Sequence, residues 1–143
     1  MAQVNPGQLL LTTTVADISG TQLAFTFVVP GHQAWTLRSV RAVAGRNVGG
    51  APNRDYVLVI TDGTNVVAAL AAGDAGTEPG VCSVTWANCP AATSASGSDG
   101  VVVAPLGPLL LPAGYQIIGT IQAPAVGDTW VTALVWYDYA DVS

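Results

Sequence analysis

Few residues in this chain can do chemistry. The one histidine, His32, lies in the turn-forming stretch Pro30-Gly31-His32-Gln33, and no recognisable motif sets a nucleophile or an orienting carboxylate beside it. A histidine in such a turn is expected to face solvent. Two cysteines, Cys82 and Cys89, cannot with a single histidine complete the tetrahedral ligand set of a structural zinc ion. A disulfide between them would close a loop of eight residues, worth about 2.5 kcal/mol on the chain-entropy model. Thiols of a cytoplasmic protein normally stay reduced, so the sequence leaves Cys82 and Cys89 open to either state.

The acids number nine, Glu78 and eight aspartates, and their spacing singles out no two that share a cleft as glycoside hydrolysis requires. Asp62, Asp74, Asp99 and Asp128 all fall in expected loops. There the ordinary role of aspartate is to accept backbone hydrogen bonds and shape a turn, with a shared calcium ion as the alternative. Gly45-Arg46-Asn47-Val48-Gly49-Gly50 has glycines but not the pattern of a phosphate-binding loop. The reading is a chain with no catalytic set, no metal centre and no cofactor.

Charge is scarce throughout. Only 9% of the 143 residues are charged, against about 25% in an ordinary soluble domain. Lysine is absent, and Arg38, Arg41, Arg46 and Arg54 face the nine carboxylates for a net charge of −5. That balance disfavours nucleic acid, whose binders neutralise phosphates with a basic surface. Charged side chains also keep folded monomers apart, so a surface this neutral is expected to be buried in part against other subunits.

The opening residues show neither a basic start nor a continuous apolar run, which predicts a protein made in the cytoplasm without a secretory signal. The apolar runs 66–72 and 101–113 are too short to span a bilayer or are broken by Pro105, Gly107 and Pro108. No membrane role is expected.

The elements that must position these residues read as strands. One domain over residues 1–143 is expected, with a short extended segment over about residues 1–7. The first strand covers about Gln8 to Ala16. Alternation is clearest at Gln22 to Val29, where Leu23, Phe25, Phe27 and Val29 share one face. Trp35 to Val43 follows, with Arg38 and Arg41 three apart and so on opposite faces of a regular strand.

After a loop from Gly45 to Asn53 comes Asp55 to Ile60, and Asp62-Gly63 predicts a tight hairpin into Asn65 to Leu70. Loops at 71–80 and 89–100 flank a strand at Val81 to Trp86. Val101 to Ala104 and Leu109 to Leu111 are brief pieces at a sheet edge, set apart by prolines. Tyr115 to Gln122 and Thr129 to Tyr137 end the series, the last apolar on both faces and so expected in mid-sheet, covered on each side. About eight short strands bounded by turn residues predict an all-β, antiparallel β-sandwich of jelly-roll type.

Three stretches resemble a known group: Pro30-Gly31-His32-Gln33-Ala34-Trp35-Thr36-Leu37-Arg38-Ser39-Val40, Leu109-Leu110-Leu111-Pro112-Ala113-Gly114-Tyr115-Gln116-Ile117 and Gly127-Asp128-Thr129-Trp130-Val131. With the Asp62-Gly63 hairpin they are similar to small β-sandwich virion proteins of tailed bacteriophages. The likeness is one of pattern and covers most of the chain from about residue 22. It implies a jelly-roll module that decorates or cements the capsid surface, a homo-oligomer, often a trimer, seated on the major capsid protein. Related modules occur in tails and fibres, so a tail or spike module binding a receptor or carbohydrate is the alternative. In that case exposed aromatics from among Trp35, Trp86, Trp130 and Tyr139 would form the platform, although core is the expected place of most of them.

Overall fold

A strand with alternating apolar and polar residues has one face for a core and one for water, and in the computed structural model such strands pack as two sheets. It describes residues 7–14, 23–46, 54–73, 80–89, 93–95, 99–124 and 127–142. The strands are β1 (Gly7–Thr14), β2 (Ala24–Val28), β3 (Gln33–Arg46), β4 (Asp55–Thr61), β5 (Val66–Ala71), β6 (Gly80–Ala87), β7 (Thr93–Ala95), β8 (Asp99–Pro105), β9 (Leu109–Leu111), β10 (Gln116–Gln122) and β11 (Thr129–Asp141).

Eight of these strands make a jelly roll. One sheet contains the order β1-β11-β3-β6 and the other is β2-β10-β4-β5. The pairs β1/β11, β2/β10, β3/β6 and β4/β5 are all antiparallel. They are the successive segments of one long antiparallel ribbon, rolled so that its segments alternate between the two sheets. The β4–β5 turn is the tip of that ribbon.

The three further strands come from the connection between β6 and β10 and enlarge the first sheet to seven. β8 runs parallel to β6 and carries β7 on its far side, while β9 pairs with Trp35, Thr36 and Leu37 of β3. The sequence reading gave residues 89–100 as loop; β7 and the start of β8, including Asp99, lie there instead. Small polar residues do not advertise a strand, but β8 has backbone groups on its open edge that a short strand can pair.

The ribbon tip also differs from expectation. A two-residue turn of type I′ would need positive φ at both Asp62 and Gly63, and one of type II′ at Asp62, whereas among the described turn residues only Gly63 has it, at 99°. The turn spans Asp62 to Asn65, and the Asp62 carboxylate accepts the backbone N–H groups of Thr64 (2.8 Å) and Asn65 (2.7 Å). The side chain thus replaces part of the hydrogen bonding that a tighter turn would make in backbone alone.

Between the sheets the core is aromatic and β-branched. Trp130 of β11 meets the ring of Phe25 edge-on at 5.1 Å and that of Tyr56 at 5.5 Å, so one indole joins the long sheet to β2 and β4. Its N–H donates to the Leu23 carbonyl (3.2 Å), and the Trp86 N–H of β6 donates to the Leu70 carbonyl of β5 (3.0 Å). Both bonds cross between the sheets and satisfy buried indoles.

Two bulges set which side chains face outward. Pairing of β11 with β3 shifts between Trp130 and Thr132, so Trp130 shares the core side with Ala133, Val135 and Tyr137. β11 is central, as expected, but covered on one side only: Val131 and Trp136 are exposed on the other. A second shift, between Trp136 and Tyr137, makes Arg38 the extra residue of β3. Arg38 and Arg41 therefore both emerge on the outward side, not on opposite faces, while Leu37 and Val40 stay buried.

Candidate functional site

The residues first considered for catalysis or metal binding are kept apart. His32 is exposed in a turn closed by the Gln33 N–H donating to the Pro30 carbonyl at 3.1 Å. Among the described residues no three His, Cys, Asp or Glu side chains gather where they could hold a metal ion. Asp62 shapes the ribbon tip, Asp128 is buried elsewhere, and Asp74 and Glu78 lie outside the described residues.

Cys82 and Cys89 are not joined. β6 runs extended from Cys82 to Ala87, about 16 Å at 3.3 Å per residue. Two more Cα steps of about 3.8 Å bring the chain back no nearer than about 9 Å, beyond the roughly 6.8 Å Cα separation that a disulfide tolerates. Spacing in the sequence allowed the bridge; extension of β6 removes it.

Asp128 has a role that sequence reading missed. It immediately precedes β11, Arg54 immediately precedes β4, and the two side chains meet between the sheets with 0% and 1% of their surface exposed. The guanidinium is two-pronged on the carboxylate, Nε to Oδ2 at 2.7 Å and Nη2 to Oδ1 at 3.1 Å. The available signal was a lone arginine and a lone aspartate each abutting an apolar strand. Arg46, the last residue of β3, is buried as well and donates to the Val81 carbonyl at 3.4 Å. Half of the four arginines are thereby withdrawn from the surface.

What the fold presents instead is two broad outward faces. On the four-stranded sheet the registers align three rows, Val28-Gln116-Thr61-Val66, Thr26-Ile118-Val59-Ala69 and Ala24-Thr120-Val57-Ala71. None of these residues is charged, although Val57 is buried and the next row sets Asp55 beside Gln122. On the seven-stranded sheet the outward rows include Thr132-Val43-Ser83-Val101 and Leu134-Arg41-Thr85-Val103, with Trp136 beside Ser39 in the next.

Ser39, Arg41, Thr85, Leu134 and Trp136 line a shallow hollow of about 280 Å³. It lies near the bulge at Arg38, where β3 exchanges β6 for β9 as its neighbour. Trp136 is 46% exposed on its wall. Nearby, the Arg38 Nε donates to Asp138 Oδ2 at 2.6 Å, so that pair is locally neutral.

Of the aromatics considered for a ligand platform, Trp35, Trp86 and Trp130 are in the core, Trp35 stacked on Tyr137 at 3.7 Å between ring centroids. Trp136, which sequence reading assigned to a doubly covered strand, is the exposed indole. Comparison with family models, with curated proteins and with solved structures finds no match to this chain.

Proposed function

We propose that this chain is a structural subunit of a tailed-bacteriophage virion, a decoration or cement protein that seats on the major capsid protein at the outer capsid surface. The supporting observation is a jelly roll whose four-stranded sheet has three uncharged rows on its outward face, with Asp55 in the row beyond them, while the seven-stranded face carries Arg41 and the mutually neutralised Arg38 and Asp138. Jelly rolls serve viral shells among other roles, a support at the level of fold alone. Flat, uncharged faces lose little on desolvation, so their apolar area turns into association. Each copy buries area across joints of the shell, and many copies act together through avidity. The role is mechanical and non-enzymatic, on a virion assembled in the host cytoplasm.

The test is the temperature at which genome-filled particles rupture. Particles made without this protein should rupture at lower temperature and regain the original value when the purified chain is added back. Identical rupture temperatures with and without it would remove the proposal.

The half-exposed Trp136 beside the hydroxyls of Ser39 and Thr85 favours one other reading, a carbohydrate- or receptor-binding module of a tail or spike. Glycan-array binding that Trp136→Ala abolishes, together with no affinity for capsids, would select that reading.

A further inference from the structure

The described carboxylates occur on both sheets, with Asp138 and Asp141 in β11 and Asp55 and Asp62 in and beside β4, but the exposed arginines do not. Both exposed arginines, Arg38 and Arg41, stand on the outward side of the seven-stranded sheet. Arg38 has Asp138; no carboxylate among the described residues pairs with Arg41. Arg41 instead borders the hollow, against Leu134 and Trp136.

The opposite composition occurs at the β4–β5 ribbon tip. Asp62 is exposed there, and the next strand begins with Val66 and Val67, 65% and 57% exposed. Val67 is the extra residue of a bulge in the β4–β5 pairing, which turns an apolar side chain outward at the sheet edge. Asp62 Oδ1 takes both turn N–H groups, while Oδ2 receives only the Asn65 side-chain amide at 3.4 Å. Oδ2 keeps lone pairs for a further donor.

We infer that copies of this chain associate head to tail, the β4–β5 tip of one copy, with Asp62, Val66 and Val67, docking on the Arg41–Trp136 hollow of the next. An unpaired cation beside an indole meets a carboxylate beside two valines, so charge and apolar surface match at once. A two-fold contact centred on the hollow would set each Arg41 against its symmetry mate and leave both without counter-charge. Head-to-tail contact avoids that and repeats until a ring closes. Tryptophan and arginine are also the side chains most often found to dominate interface energetics.

The inference rests on the proposed structural role only in that copies meet one another. A chain that forms these contacts yet ignores capsids keeps the inference and loses the role, and the reverse outcome is equally readable.

The experiment is sedimentation equilibrium of the full chain and two variants, each checked for native circular dichroism. The unaltered protein should show a mass several times that of one chain, falling as salt is raised. Arg41→Glu spoils the hollow and Val67→Arg spoils the tip, and each variant alone should sediment as a monomer. Mixed in equal amounts they retain one good hollow and one good tip, so the mixture should give a dimer that neither variant forms. A monomeric unaltered protein, variants that still oligomerise, or a mixture that stays monomeric would each overturn the inference.

Discussion

The Arg54 guanidinium and the Asp128 carboxylate meet at 2.7 Å with almost none of either side chain in contact with water. The pair ties the start of β4 in one sheet to the start of β11 in the other, and it removes one cation and one anion from a surface already short of both. The neutrality of the outward faces is thus partly a product of folding, beyond what composition alone implies.

Breaking this pair should be costly. Arg54→Met or Asp128→Asn leaves an uncompensated buried group and should lower stability by about 3–5 kcal/mol. Replacing both with apolar residues of similar volume should cost far less, because no charge is then stranded. Urea denaturation of the two single variants and the double variant measures the difference; single variants as stable as the original would show that the pair is not shut off from water.

Phe25 packs over Gly119, its direct partner across β2 and β10. A Cβ built on Gly119 would lie 2.0 Å from the Phe25 ring, so even a methyl group has no room. Gly119→Ala should destabilise by about 1–3 kcal/mol through overpacking, and Phe25→Leu in that background should recover part of the loss. Thermal unfolding of the pair of variants checks this; an unchanged midpoint for Gly119→Ala would refute the close approach.

At the ribbon tip, backbone N–H donation from Asn65 and then Thr64 holds the Asp62 carboxyl below its ordinary value. A depressed folded value means that its contribution is present above the unfolded value and is lost as pH falls through the folded one. In an NMR titration the amides of Thr64 and Asn65 should follow the Asp62 carboxyl with one shared midpoint, below that of an unstructured aspartate. A midpoint at or above the ordinary value would contradict the turn geometry.

Mild oxidation of the folded chain should produce no bridge between Cys82 and Cys89, because β6 holds their backbones too far apart. Alkylation under native conditions should reach half-buried Cys89 before buried Cys82. Peptide mass mapping reads both results, and an intramolecular bridge formed without unfolding would mean that the end of β6 is not extended as described.

Much of the fold was legible in the residues because alternation is a direct imprint of a two-sided sheet. Leu23, Phe25, Phe27 and Val29 point inward as their spacing predicts, and Asp62-Gly63 marks the ribbon tip, although the turn is longer. What period-two reasoning could not locate were the bulges. One extra residue in β3 brought Arg38 to the side of Arg41, and one in β11 turned Trp130 inward and left Trp136 outside. A bulge depends on pairing with a distant strand, and no local pattern encodes it. The Arg54–Asp128 pair was hidden for the same reason, its members being 74 residues apart in sequence. The scarcity of charge was visible at once, but its distribution over two faces was not.

Electron cryomicroscopy of the intact particle would locate every copy of the chain. Jelly-roll density is expected on the outer capsid surface, with one sheet face turned against the shell or against a neighbouring copy. Density for this chain found only at a tail tip, or standing off the shell with both sheet faces in solvent, would contradict the capsid role.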